Sequence, residues 1–309
     1  MRRSIKEFAR LDGWAFSTLE ACLMNPSHHY TLSFSCPDRV GIVARVTGFF
    51  AEHGGWILSS SQHADADSNR YFMRLEVRAD SLPFDCAELQ RRFAVVAAEF
   101  GMEWRLRDSA VRRRVLLLVS TQEHCLYDLL ARWKSKELDV DIVGVVSNHE
   151  VFRGLVEWHG LTFHHIPVPK DDKAGAFTAL ERLFESCGAD TMVLARYMQI
   201  LPPALCRKYA GQIINIHHSF LPSFAGAKPY HQAWERGVKL IGATCHYVTE
   251  DLDEGPIIEQ DVMRIDHSDS VADLVRCGKD VEKGVLARGL RNHLEDRVLI
   301  NAHRTVVFG

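Results

Sequence analysis

The 309 residues include eight cysteines, at positions 22, 36, 86, 125, 187, 206, 245 and 277. No pair forms Cys-x-x-Cys, and the spacing is that of neither a zinc site nor a disulfide framework. A reducing cytoplasm and no metal are therefore expected. Long apolar runs are missing too: none approaches the roughly 18 residues that a membrane span needs. Neither sign of charge dominates. Lys and Arg number 37 against 40 Asp and Glu, a net charge of −3, so no basic surplus points to nucleic acid. The N-terminus opens basically (Met1-Arg2-Arg3-Ser4), but Glu7, Asp12 and Glu20 interrupt the next stretch, and no apolar signal core forms. Glycine is absent from Ser120-Thr121-Gln122-Glu123-His124-Cys125-Leu126, the loop after an apolar run at 115–119. A G-x-G-x-x-G cradle is therefore excluded there, and with it a nicotinamide enzyme of the usual kind. Gln122 and Glu123 would block or repel a phosphate at that loop.

What is present is length for two cores, with 47% apolar and 25% charged residues. Residues 1–27 form an extension in which Phe8, Leu11, Phe16, Leu19 and Leu23 have rough helical spacing. From 28 to 108 the periodicity changes in a fixed order. Tyr30, Leu32 and Phe34 alternate as in a strand; Ile42, Val46, Phe49 and Phe50 repeat as in a helix ending at Gly54-Gly55. Strands are predicted near 56–63 and 70–78, a helix over 84–100 and a strand over 103–107. This is βαββαβ, a ferredoxin-like unit. A charged linker, 109–113, leads to a second domain, 114–309. Its predicted strands (115–119, 140–147, 162–166, 191–195, 212–217) alternate with helices (123–136, 150–159, 174–187, 203–209). That pattern implies a parallel, right-handed α/β sheet of Rossmann-like architecture, with ligands at the carboxyl ends of its strands. Strands over 241–249 and 257–265, a helix over 269–292 and a last strand near 304–308 complete the reading.

The chemistry concentrates between Gln212 and Pro256. Ile213, Ile214 and Ile216 mark a buried strand interrupted by Asn215 and His217. Residues i and i+2 share a face, so the amide and the imidazole project side by side. Two polar groups inside an apolar strand cost several kcal/mol unless paired. Asp253 precedes Gly255-Pro256, a turn signal. An amide and an imidazole can donate to a developing oxyanion, while a carboxylate holds or deprotonates the nucleophile. Taken singly, His217 also reads as a satisfied core histidine and Asp253 as a solvated turn residue. His218 falls on the opposite face, as a structural or supporting group.

Asn215-Ile216-His217, Leu221-Pro222 and Leu252-Asp253-Glu254-Gly255-Pro256-Ile257-Ile258 resemble the formyltransferase-fold family. The resemblance implies 10-formyltetrahydrofolate as substrate, no cofactor, and Asn215, His217 and Asp253 as the catalytic triplet. It also implies a folate pocket lined by Arg196, Tyr197, Met198, Gln199 and Ile200 with Thr249, Glu250, Asp251 and Leu252. His217 to Pro222, Lys228 to Ala233 and Ile241 to Thr244 are similar to the branch that passes the formyl group to water. Hydrolysis to tetrahydrofolate and formate is thus the expected reaction, balancing the one-carbon pool for purine synthesis. Transfer to an amine acceptor is the alternative, and a catalytically silent sensor a third reading. Cys36-Pro37-Asp38-Arg39-Val40-Gly41-Ile42-Val43 resembles the opening of an ACT domain. That implies a homo-oligomer, dimer or tetramer, and an effector site at Asp38, Arg39, Val40, Gly41 and Ile42 for glycine or methionine. Trp56 stands where many ACT domains carry Asn, which favours pairing over effector binding.

Overall fold

The computed structural model describes residues 28–223 and 229–309. The helix expected within 1–27 lies outside them. Among the described residues the chain runs β1 (His29–Pro37), α1 (Ile42–Glu52), β2 (Ile57–Asp65), β3 (Arg70–Arg78), α2 (Cys86–Phe100) and β4 (Glu103–Asp108). These strands form an antiparallel sheet in the order β2-β3-β1-β4. Alternation explains its two faces. Tyr30, Leu32 and Phe34 pack with Phe49, Phe50 and Phe93 from the helices, all buried. Full burial of each such side chain stabilises by about 1.5–3 kcal/mol. Asp85 caps α2 by accepting from the Glu88 amide at 2.9 Å.

The larger part continues with β5 (Arg114–Val119), α3 (His124–Lys134), β6 (Asp141–Ser147), α4 (Arg153–Trp158), β7 (Phe163–His165) and α5 (Lys173–Ser186). Then come β8 (Thr191–Leu194), α6 (Pro203–Lys208), β9 (Ile213–His217), α7 (Pro229–Arg236), β10 (Leu240–Tyr247), β11 (Ile257–Arg264) and α8 (Val271–Leu294). A hairpin, β12 (Val298–Asn301) and β13 (Arg304–Val307), ends it. The seven-stranded sheet has the order β11-β10-β9-β8-β5-β6-β7. Val115, Leu117 and Val119 face one core and Leu116 and Leu118 the other, which is why this run shows no alternation. The chain reverses direction across the sheet between β5 and β8, the place where open α/β sheets bind ligands.

The five strands expected to be parallel, β5 to β9, are parallel. β10 runs antiparallel to both β9 and β11, and the short connection from β10 to β11 contains no crossover helix. Helix α7 and strand β12 were not expected. Pro229 opens α7 at a position where a missing amide costs nothing. The tight turn between β12 and β13 uses Ala302 at φ 54°, without the Asn-Gly pair that would advertise a hairpin.

The outer face of the smaller sheet docks on the end of the larger domain. Arg74 Nη2 donates to the Glu295 carbonyl at 2.8 Å, Arg107 Nε lies 3.3 Å from Asp296 Oδ1, and Asn301 Nδ2 donates to Asp65. Arg113, read as part of a linker, is instead buried and sits 3.8 Å from Asp296.

Candidate active site

Strand β9 ends in the site. Met192, Val193 and Leu194 of β8 align it on one side, and Thr244 to Tyr247 of β10 on the other. The chain beyond it is pinned to β10. Thr244 Oγ1 donates to the Ser219 carbonyl at 2.9 Å and accepts from the Leu221 amide at 3.0 Å, and Gln260 Nε2 donates to the Leu221 carbonyl at 3.0 Å.

Asp253 reaches His217 because of Gly255. A side chain at 255 would place its Cβ 1.7 Å from the Tyr247 carbonyl oxygen, so glycine alone lets the turn close on the strand. The Tyr247 amide then donates to the Pro256 carbonyl at 2.9 Å. Asp253 takes φ 59°, a left-handed conformation uncommon outside glycine. Its Oδ2 lies 3.2 Å from His217 Nδ1. Burial pushes the Asp253 carboxyl up, but the hydrogen bond from His217 outweighs it, leaving the group below the ordinary carboxylate range. A carboxylate only accepts, so His217 carries a proton on Nδ1. His217 Nε2 is buried with no hydrogen-bond partner among the described residues.

His246 sits opposite Asn215 in the register. Its Nδ1 donates to the Tyr247 carbonyl at 2.9 Å, and its Nε2 accepts from Asn215 Nδ2 at 3.2 Å. That bond orients the amide and leaves its second N–H without a partner among the described residues. Asp253 Oδ1 lies 3.7 Å from the same His246 nitrogen.

These groups open into a cavity of about 430 Å³. Its lining includes Asn215, His217 and Asp253. It also includes the whole expected folate wall, both Arg196 to Ile200 and Thr249 to Leu252. Met198, Ile200 and Leu252 are 54%, 69% and 59% exposed, an apolar rim suited to a flat ring. Tyr197 is buried, and its hydroxyl is pushed up to about 12 by burial. Arg196 takes φ 65°, and the wall is tied down by Ser120, whose Oγ accepts from the Met198 amide at 2.9 Å. His218 lines the same cavity, so it is not turned away from the site as expected.

Sequence reasoning missed His246, Ser120 and Glu282. The register of β10 could have found His246 only once its antiparallel pairing was known. Glu282 is buried on α8 within reach of His124 and Arg196. The ligand atoms of His124, Cys125 and Glu282 lie within 4.8 Å of one another. The Arg196 guanidinium opposes a cation there, and burial pushes the Cys125 thiol up, away from the thiolate a metal would need. The five residues of the expected effector turn fall elsewhere, on the smaller domain. Asp38 to Gly41 are exposed, while Ile42 is buried in that domain's core.

The formyl transferase family matches residues 113–290, and the ACT domain matches residues 30–83. A formyltetrahydrofolate deformylase of Corynebacterium sp. (strain P-1) is 49% identical over 284 residues, 92% of this chain and 99% of that protein. The solved structure of a formyltetrahydrofolate deformylase from Pseudomonas syringae pv. tomato is 58% identical, with a TM-score of 0.92, covering 95% of this chain and 99% of the other. A glycinamide ribonucleotide transformylase from Symbiobacterium toebii is more distant, 28% identical with a TM-score of 0.61, and covers 66% of this chain and 98% of its own. The similarity to the deformylases thus spans both domains, whereas the transformylase accounts for about two thirds of the chain, and the chain belongs to the formyltetrahydrofolate deformylase family.

Proposed function

We propose that the protein is a hydrolase that cleaves 10-formyltetrahydrofolate to tetrahydrofolate and formate. The observation that carries this is the convergence of Asn215, His217 and Asp253 on one cavity with an apolar rim. In this reading Asp253, ionised throughout the working range, anchors a water molecule beside the formyl carbon. Its oxygen bonds to that carbon, and the negative charge moves to the former carbonyl oxygen. His217 Nε2, when protonated, and the free N–H of Asn215 donate to that oxygen. A carboxylate held this low is a poor lone base, so the proton leaving water is taken by the coupled Asp253–His217 pair. The C–N10 bond then breaks as N10 takes the proton that the pair received from water, and the product leaves as formate after giving up its remaining acidic proton to solvent. No step calls on a cofactor or a metal.

The choice of water over an amine rests on the glycine-free loop before α3. Glu123 occupies that point, and its Oε1 pairs with Lys279 Nζ at 2.8 Å, leaving a carboxylate where a phosphorylated acceptor would need a cradle. A cytoplasmic homo-oligomer paired through the smaller domain completes the proposal. Asp38 to Gly41 would take glycine or methionine only with a partner surface covering them. The test is formate release from 10-formyltetrahydrofolate in buffer without any amine. Sustained release supports hydrolysis; consumption of the donor only when an amine is added contradicts it.

A further inference from the structure

Glu282 is 1% exposed and carries a charge into the core of the larger domain. Burial pushes its carboxyl up, yet the hydrogen bond from His124 and the field of Arg196 outweigh this and keep it below the ordinary range. Three elements distant in sequence meet on it. His124 Nε2, at the start of α3, donates to Oε2 at 2.8 Å. Tyr230 Oη, on α7, donates to Oε1 at 2.7 Å. Arg196 Nε, in the turn after β8, lies 3.4 Å from Oε2. A buried ion pair is weak evidence for stability, because desolvation offsets much of the attraction. Its partners suggest another use.

Arg196 lines the folate cavity in a left-handed conformation, which persists only where its surroundings hold it. Among the described residues, Glu282 is the carboxylate within 4 Å of its guanidinium. Tyr230 stacks edge-on against His218 at 6.0 Å, and His218 packs against His217 at 5.2 Å. One carboxylate thus touches both the wall of the cavity and, through two rings, the imidazole facing the formyl group. Resting on the hydrolase reading above, we infer that Glu282 is a positioning residue for this reaction. Through Arg196 it keeps the cavity wall in its binding shape, and through Tyr230 it holds the His218–His217 pair in register. It neither contacts the substrate nor moves a proton.

The two arms separate experimentally. Arg196→Gln releases the wall and is expected to raise KM by about tenfold with a smaller change in kcat. Tyr230→Phe removes one hydroxyl and is expected to lower kcat several-fold with KM little changed. Glu282→Gln keeps the shape but removes the charge, leaving Arg196 unpaired, and is expected to shift both. Adding Arg196→Gln to Glu282→Gln should then cost less than the two separate losses predict, a coupling on the order of tenfold. Kinetics are normalised to the folded fraction from urea titration, so a purely structural role would appear as lower stability with kcat and KM unmoved in all variants. That result overturns the inference. If Glu282→Gln fails to fold, the opposite KM and kcat signatures of Arg196→Gln and Tyr230→Phe still decide it. A wild-type protein that releases no formate would defeat the hydrolase reading instead, a distinct failure seen before any variant is made.

Discussion

Two turns in this chain come after a strand and were both expected to bind a small molecule, yet they are built differently. The turn at Asp38 to Ile42 lies open to solvent. Val40 is fully exposed, and the left-handed position falls to Gly41 at φ 98°, where a Cβ would meet nothing within 4 Å. The turn at Arg196 to Ile200 is held from several sides. Its left-handed residue is an arginine beside a buried glutamate, and a serine ties down the Met198 amide. Placing a non-glycine residue in that conformation costs roughly 1–2 kcal/mol. The larger domain bears this cost at Arg196 and Asp253, where the side chain itself is wanted. At its turn the smaller domain uses glycine instead, and the residues from Asp38 to Gly41 stay open to solvent.

The largest effect that separates the two regions is expected at Asp253. Asp253→Asn keeps the shape and removes the charge, and kcat should fall by roughly two to four orders of magnitude with folate affinity retained. Glu254→Gln is the matched control. Glu254 is exposed and does not line the cavity, so single-turnover rates should stay near wild type. A dead Glu254→Gln beside an active Asp253→Asn would assign the wrong carboxylate.

Gly255→Ala and Gly41→Ala sharpen the contrast. At 255 the added methyl collides with the Tyr247 carbonyl, so the turn must shift and carry Asp253 with it. A displacement of about 1 Å at a reacting group can cost on the order of 10²-fold in rate. At 41 the space is open and only the backbone conformation resists. About 1–2 kcal/mol of stability should be lost, with the rate of the folded protein unchanged. Rate assays paired with urea midpoints check both, and equal rate losses at the two glycines would erase the distinction.

Association should belong to the smaller domain. Its edge strand β2 is free along one side among the described residues, with Leu58 44% exposed. Sedimentation at micromolar concentration is expected to give at least a dimer, and Leu58→Lys to shift it toward monomer. A monomeric wild-type protein would contradict this.

Much of this contrast was legible in the residues. The alternation at Asn215 and His217 placed both on one face, and Gly255-Pro256 marked the turn that returns Asp253 to them. The wall from Arg196 to Ile200 was legible only through the resemblance to the formyltransferase-fold family. The supporting groups were not legible, because each depends on pairing over a long separation. His246 reads as one more residue of a strand until the antiparallel register sets it against Asn215. Glu282 reads as a polar position on a long helix, and only the packing of α3, α7 and the β8 turn gives it three partners. The direction of β10 was equally hidden, since a strand's own residues do not state which way it runs.

A smaller effect concerns pH. Burial, with Arg196 nearby, lowers His218 to about 3, and burial, with nearby arginines, pushes His293 well below its ordinary value. Both stay neutral in the folded state, whereas unfolded histidine takes up a proton near pH 6.5. Below that value the unfolded state binds more protons, so stability falls as pH falls. From pH 7 to pH 5 the loss is expected to reach at most about 2 kcal/mol per histidine, with less for the partly exposed His218. Asp253 remains ionised over the same window. Urea titrations at the two pH values, for wild type and His293→Gln, check the sign; stability rising toward pH 5 would refute it.

The central claim is that the catalytic triplet passes the formyl group to water. It is tested most directly by a single turnover of 10-formyltetrahydrofolate in ¹⁸O-labelled water, with and without glycinamide ribonucleotide. The prediction is one labelled oxygen in each formate, tetrahydrofolate formed in equal amount, and no change of rate or product on adding the amine. Formylated amine as the main product, or formate without the label, would contradict it.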